Sequence, residues 1–267
     1  MLNAIKYSLV KIVESHPYTW FFAWTLIHKL TFLLPHDKSY FAIKHFCNHT
    51  NNELFLDVGA NTGISALSFR KLNKNIPIFS IEPNNIHHDT LNKLKEKLAP
   101  FDFLLIGVGD REMHAEFFTP IYKGIILHTF TSVSEEQVRQ GIHQSFGPKI
   151  AKKMIVNKSS APILCLDKLD LKPSIIKIDA EGFDYNVLLG ARQTIELYQP
   201  FIMFEACHTN IALFKLFFQE IDFAILTYHC DTDVFSEFHP ELLSSVGGGR
   251  NIFAVPYEKV KLLPFAK

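Results

Sequence analysis

Cysteine is sparse in this chain and never closely spaced. Cys47, Cys165, Cys207 and Cys230 are the 4 cysteines among 267 residues, with no C-x-x-C pair, which argues against a zinc ribbon or a dense disulfide framework. Buried, reduced thiols in a cytoplasmic protein are the expectation. Neither sign of charge is in surplus: 27 Lys plus Arg stand against 27 Asp plus Glu, so no overall basic field exists to hold nucleic acid. Long apolar runs are missing too. The nearest, Trp20 to Leu34, is interrupted by His28 and Lys29 and ended by Pro35, short of the roughly 20 residues a spanning helix needs. Lys6, Lys11 and Glu14 come before it without a small-residue cleavage signature, so no secretory signal is expected. What is present is 48% hydrophobic and 20% charged residues, with 25 Phe beside only 2 Trp. That suffices for a bulky aromatic core and is too little charge for a disordered tail.

The apolar periodicity divides the chain at about residue 50. Residues 1–50 read as a helical segment, with helices over about 2–34 and 38–49, and residues 51–267 read as one α/β domain. For residues 17–34 two readings stand: a helix packed on the main domain, or an interfacial helix in peripheral contact with a membrane. Short apolar runs then recur at Leu54–Val58, Ile78–Ile81, Phe101–Val108, Ile175–Ile178, Phe201–Phe204, Phe223–Thr227 and Ile252–Val255. Amphipathic stretches separate them: Gly63–Leu72, Asn85–Leu98, Tyr185–Leu197 and a helix from Ile211 capped by Thr209 or Asn210. Strand and helix alternating at this pace predict a Rossmann-like, seven-stranded, mostly parallel sheet with helices on both faces. The last two runs lack a helix between them and pair antiparallel at one edge. Residues 111–161 break the alternation with short β-like pieces and a helix beginning at Ser134, capped with Gln137; an insertion there overlies the ligand face.

The sharpest motif is Leu54-Phe55-Leu56-Asp57-Val58-Gly59-Ala60-Asn61-Thr62-Gly63. A buried strand ends in a carboxylate, and glycines let a ligand approach the backbone where the chain turns into a helix. Asp57 opposes a pyrophosphate on that helix N-terminus and suits a ligand carrying an ammonium and a sulfonium, unless it only caps the turn. The spacing also departs from G-x-G-x-x-G. S-adenosylmethionine therefore fits better than NAD. Glu82, followed by Pro83 at the end of the second strand, can accept both hydroxyls of a ribose. Gly107-Val108-Gly109-Asp110 leaves room for a purine, with Asp110 facing its amine or merely closing a turn.

Ile176-Lys177-Ile178-Asp179-Ala180-Glu181-Gly182-Phe183-Asp184 is the second sharp motif. Asp179 and Glu181 stand two apart at a strand end, so both can face an acceptor, holding its hydroxyls, orienting a base or sharing a hard cation. Alternatively Glu181 or Asp184 caps the next helix. His208, after Phe204-Glu205-Ala206-Cys207, is placed to remove a proton near neutral pH or is an ordinary surface residue. Arg250, behind three glycines, either clamps an acceptor or belongs to a plain hairpin.

In this order, L-F-L-D-V-G-A-N-T-G, S-I-E-P-N, I-G-V-G-D, I-K-I-D-A-E-G-F-D-Y-N-V-L-L-G-A and M-F-E-A-C-H resemble the FkbM family of S-adenosylmethionine-dependent methyltransferases, over about residues 53–255. D-V-G-A-N-x-G alone points only to the wider class I methyltransferases; K-I-D-A-E-G followed by V-L-x-G-A is the family-specific part. The resemblance implies a seven-stranded sheet with one reversed strand. It also implies methyl transfer to oxygen, often on sugars of glycolipids, polysaccharides or natural products. By the same resemblance Asp57, Gly59, Asn61 and Gly63 form the donor loop, Glu82 is the ribose ligand, and Asp179 and Glu181 are active-site acids. Asp184 replaces the family's usual glutamate, and the first 50 residues carry no family motif. The expected partner is a small-molecule or glycan acceptor. The rival readings are an NAD-dependent sugar oxidoreductase, which Asp57 hinders, and a catalytically silent, membrane-docked binding module of the same fold.

Overall fold

The computed structural model describes residues 16–31, 33–47, 54–206, 211–242 and 250–266, apart from the side chains of Leu242 and Arg250. Its strands are β1 (Phe55–Val58), β2 (Ile78–Ile81), β3 (Phe101–Leu104), β4 (Gly107–Val108), β5 (Met113–Tyr122), β6 (Ile125–Ile126), β7 (Ile155–Leu164), β8 (Ile175–Ile178), β9 (Phe201–Ala206), β10 (Phe223–His229), β11 (Val234–Glu237) and β12 (Arg250–Pro256). The α-helices are α1 (Pro17–Thr31), α2 (Ile43–Cys47), α3 (Ile64–Leu72), α4 (His88–Lys97), α5 (Glu135–Ala151), α6 (Asp184–Gly190), α7 (Arg192–Tyr198), α8 (Ile211–Glu220) and α9 (Tyr257–Val260).

Eight strands form one sheet in the order β11-β10-β12-β9-β8-β1-β2-β3. β3, β2, β1, β8 and β9 are mutually parallel. The chain winds outward from β1 in both directions, so the β1/β8 junction is the switch point at which such sheets bind ligands. The expected pairing of the last two strands occurs as β10 with β12. However, two strands are reversed: β12 runs antiparallel between β9 and β10, inside the sheet, and β11, antiparallel to β10, forms the edge, a four-residue strand too short to show a period.

Two other expected elements are divided. The run Phe101–Val108 supplies β3 to the large sheet and β4 to a second sheet, ordered β4-β7-β5-β6. The register there is tight: a Cβ on Gly107 would lie 2.3 Å from Ile163 Cδ1. The stretch Tyr185–Leu197 becomes α6 and α7, broken at Ala191. Asp167 causes the restart by accepting from the backbone N–H groups of Gln193 and Thr194, 3.2 and 2.8 Å away, an N-terminal cap supplied from outside the helix.

Strand alternation sends side chains to two cores. Phe55 packs with Phe46, Phe69 and Phe201 on one face, while Leu56 and Val58 join Ile176, Ile178 and Phe214 on the other. A third core joins α1 to the insertion: Trp20 packs with Tyr122, Leu127, Ile142 and Phe146 of residues 111–161. Ser134 caps α5 by accepting from Gln137 N at 3.3 Å. The reciprocal half of the box is replaced, because the Gln137 side chain accepts from Ser132 Oγ at 2.8 Å. Pro17 starts α1, as proline suits a first helical turn. The proposed cap of α8 at Thr209 or Asn210 falls outside the described residues.

Candidate active site

The loop after β1 is shaped by contact with the second motif. Gly59 has φ +81°, and a Cβ there would come 1.8 Å from the Asp179 carbonyl oxygen; only glycine permits both. Gly59 N and Ala60 N donate to Ile81 O at 2.9 and 3.1 Å, and Gly63, φ +78°, opens α3. The same logic governs the family-specific V-L-L-G-A segment. A Cβ on Gly190 would come 1.8 Å from Gly109 O, so Gly190 lets α6 lie directly on the β4 turn.

Glu82 holds this corner together. Its two carboxylate oxygens accept from Asn61 N at 2.7 Å and Asn84 N at 2.8 Å. It is buried, and burial raises its pKa to about 7, partly offset by those N–H donors. Each oxygen keeps a second lone pair for a hydroxyl donor.

Behind the loop lies a buried charge cluster. Asp57 is 0% exposed; Ser80 Oγ donates to its Oδ2 at 3.2 Å, and its Oδ1 has no partner. Burial raises its pKa to about 6, while Lys177 pulls the other way. Lys177 stands beside Asp57 in the β1/β8 register and donates from Nζ to Asp179 Oδ2 at 2.8 Å. That lysine holds the Asp179 carboxyl below the usual carboxylate range. Glu181, φ +49°, is exposed at the cleft, yet its pKa rises to about 7. Desolvation among the surrounding residues is the largest cause, followed by the charges of Asp179, Glu205 and Asp184. Asp184 turns back to accept from Ala180 N at 2.8 Å and Gly182 N at 3.2 Å, bracing the Glu181 turn.

Residues 111–161 build the opposite wall. Asn84 Nδ2 donates to Thr119 Oγ1 at 2.7 Å, Ser159 Oγ donates to Asn84 Oδ1 at 3.0 Å, and Thr119 and Thr131 share a 2.9 Å hydrogen bond. This buried network ties the E-P-N turn to β5 and β7. His128, in the same wall, is packed by Trp20 and Trp24 with ring centroids 5.0 and 4.8 Å away. Burial, then His87 and His28, lower its pKa to about 3, so it is neutral, and its Nδ1 has no partner. From α1, His28 Nε2 shares a 2.8 Å hydrogen bond with Thr62 Oγ1 of the donor loop.

These walls enclose a cavity of about 400 Å³, within the range of small-molecule sites. Of the residues singled out in the sequence, Gly59, Asn61, Glu82, Pro83, Gly107, Val108, Asp179 and Glu181 line it. Asp57, Ala60, Gly63 and Asp110 are outside the lining. Asp57 and Gly63 lie under the loop, and Asp110 is turned to α6, where Asn186 Nδ2 donates to it at 3.1 Å. His208 and the Arg250 side chain fall outside the described residues. Sequence reasoning passed over Lys177, Asn84, Thr119, Phe117 and His128. Of these, Lys177 had a usable signal, a cation inside the apolar run Ile175–Ile178. Among the described residues no cluster of three or more His, Cys, Asp or Glu can hold a metal ion, and Cys47, Cys165 and Cys230 are free thiols.

Among the described residues the cavity lining carries three carboxyls, Glu82, Asp179 and Glu181, and no lysine or arginine. A pyrophosphate finds no counter-charge there, whereas an adenosyl ligand bearing an ammonium and a sulfonium does. Asn61 Oδ1, buried and without a partner, adds an acceptor for such a ligand's N–H or O–H groups.

Comparison with known proteins gives one family match and several remote structural likenesses. The methyltransferase FkbM domain family matches residues 57–232. No curated protein matches the chain. Solved structures similar to it include methyltransferase FkbM from Methylobacillus flagellatus KT, at 18% identity and TM-score 0.48, covering 76% of this chain and 43% of that one. The chain thus spans less than half the length of that protein. Precorrin-6y C5,15-methyltransferase from Geobacter metallireducens GS-15 is similar at 10% identity and TM-score 0.37, over 77% of this chain and 82% of that one. A SAM-dependent O-methyltransferase from Thermotoga maritima is similar at 10% identity and TM-score 0.38, over 87% and 66%. With its matched segment covering more than half of its length, the chain belongs to the FkbM methyltransferase domain family, and its cofactor is S-adenosylmethionine.

Proposed function

We propose that this chain O-methylates a hydroxyl of a sugar, glycolipid or natural product. The observation that carries the reading is the acidic cavity at the ends of β1, β2 and β8, whose lining among the described residues has three carboxyls and no lysine or arginine. Glu82 is the ribose ligand, already fixed by two backbone N–H groups that leave lone pairs for hydroxyls. Asn61 and the Gly59 turn hold the adenosyl and methionyl parts, and Asp57 acts from beneath by its field rather than by contact. S-adenosylmethionine, when bound, supplies an electrophilic methyl group on a sulfonium.

The remaining chemistry belongs to the second motif. Lys177 keeps Asp179 ionised and oriented, so Asp179 accepts a hydrogen bond from the acceptor and aligns its hydroxyl. Glu181, with a pKa near 7, takes the proton that the hydroxyl oxygen loses as its new bond to carbon forms. Alignment of donor and acceptor supplies most of the acceleration, on the order of 7–11 kcal/mol for well-oriented partners, and a positioned base adds about 10²–10⁴-fold. The site needs no metal in this scheme. The test is transfer of labelled methyl from S-adenosylmethionine into glycan, glycolipid and natural-product extracts, followed by identification of the methylated atom. O-methyl product that disappears in Asp179→Asn and Glu181→Gln supports the reading. Methyl on nitrogen or carbon, or hydride transfer with NAD, overturns it.

A further inference from the structure

The N-terminal helix α1 is amphipathic in an inverted sense. Its inward stripe, Trp20, Trp24, His28 and Thr31, carries the polar tips and touches the cleft: Trp20 and Trp24 pack on cavity-lining His128, and His28 bonds Thr62. Its outward stripe is Tyr18, Phe22, Leu26 and Leu30 at four-residue spacing, followed by Leu33 and Leu34. Phe21 and Ile27 flank it. These eight side chains are 38% to 71% exposed, with Phe22 the most open. At roughly 200 Å² per large side chain they leave on the order of 900 Å² of apolar surface in water, beyond the roughly 300–600 Å² of the largest patch on an ordinary monomer.

We propose that this outward face docks on an anionic lipid bilayer. Charge decides between a bilayer and a protein partner. Residues 15–36 contain no Asp or Glu, and Lys29 is exposed within the outward stripe. The apolar centre of a protein interface excludes lysine, and in a symmetric dimer Lys29 meets an apolar face or its own copy. At a bilayer its stem lies among the acyl chains while the ammonium reaches the phosphates. Lys123 adds a second cation at the helix start, 5.7 Å from the ring of Tyr122, which itself packs edge-on against Tyr18. The helix has 15 residues, and no described helix is long and apolar enough to cross a membrane, so α1 lies in the interface plane. Its inner face packs on His128 of the cleft wall, which places the cavity beyond one helix diameter, roughly 10–12 Å, from the lipid surface. The inference stands on the surface of α1 and is independent of the methyl-transfer reading.

Co-sedimentation of the full chain with phosphatidylcholine vesicles, and with vesicles also containing phosphatidylglycerol, tests it at low and high salt. The anionic vesicles are expected to bind the chain, less so at high salt, and Lys29→Glu is expected to weaken that binding. Phe22→Ser combined with Leu30→Ser is expected to lower the bound fraction at least about tenfold. Leu197→Ser, which changes an equally open leucine on α7 (72% exposed), is expected to leave it unchanged. Calorimetry with S-adenosylmethionine on the double variant checks that the cleft is intact, so loss of docking is read separately from loss of donor binding. No binding of wild type to anionic vesicles overturns the proposal, as does equal binding of the double variant or equal loss in Leu197→Ser. A dimer that the double variant breaks, without vesicle binding, overturns it in favour of self-association.

Discussion

Replacing Asp57 by asparagine separates what this carboxyl costs the fold from what it does for the cofactor. The side chain is fully buried, one oxygen has no partner, and its pKa is raised from 3.8 to about 6. A carboxyl whose folded pKa lies above its unfolded value destabilises the protein once it ionises, so the cost is absent below about pH 4, grows through pH 4–6 and is full above that. At 1.36 kcal/mol per tenfold change in proton affinity, the rise from 3.8 to about 6 amounts to about 3 kcal/mol. The attraction of Lys177 is already contained in that net rise; Asp57→Asn removes the cost but leaves a buried amide NH2 beside Lys177 without an acceptor, at about 1–2 kcal/mol, for a net gain of about 1–2 kcal/mol. In a chain of this size that raises the melting temperature of the cofactor-free protein by about 2–8 °C at pH 7.5 and by little at pH 4. S-adenosylmethionine binding is expected to weaken at least about tenfold, since a buried charge close to a cationic ligand acts through a poorly screening interior. Thermal unfolding at the two pH values and calorimetry at pH 7.5 read both effects. A variant less stable at pH 7.5 than wild type, or one with undiminished affinity, refutes the assignment of Asp57 as an anion the fold tolerates for its ligand.

Three further outcomes are expected. Gly190→Ala, whose Cβ would sit 1.8 Å from Gly109 O, forces α6 off the β4 turn and destabilises the protein by about 1–3 kcal/mol, despite alanine's better helix propensity; chemical denaturation measures this. Methyl transfer by wild type should rise with pH through about 7 and level off, because a base must be ionised to act and Glu181 titrates there. Glu181→Gln should lower the plateau by about 10²–10⁴-fold and remove that step, as kcat profiles will show. Thr119→Val strips Asn84 Nδ2 and Thr131 of their shared partner and should cost about 1–3 kcal/mol by denaturation.

Local signals carried much of the fold. The D-V-G-A-N-T-G and K-I-D-A-E-G segments end β1 and β8, adjacent parallel strands, and their short continuous apolar runs marked both as buried strands. Pairings set by distant packing were not legible. β12 inserts between β9 and β10, a choice that only the finished sheet expresses, and β4 leaves the large sheet because Ile163, far along the chain, fits over Gly107. Within the site, Glu82 was identifiable from its place after β2, but the N–H donors that fix it come from the folded turn. His128 and Thr119 sit in a segment without motif periodicity, and His128 reaches the cavity, with Thr119 in the buried network behind it, only because residues 111–161 fold back over it. Lys177 was visible as an oddity in an apolar run, and its role became clear only when β1 placed Asp57 beside it. A helix over residues 17–34 packed on the main domain was one of two readings, but that Trp20 would share a core with Tyr122 and Phe146 of the insertion had no local signal.

The central claim is that a cavity whose described lining holds three carboxyls and no lysine or arginine selects a cationic adenosyl ligand. Calorimetric titration of wild type and Glu82→Gln with S-adenosylmethionine and with NAD tests it most directly. Saturable heat is expected with S-adenosylmethionine, weakened in the variant, and none with NAD; NAD bound as tightly, or an affinity for S-adenosylmethionine indifferent to Glu82, would contradict the account.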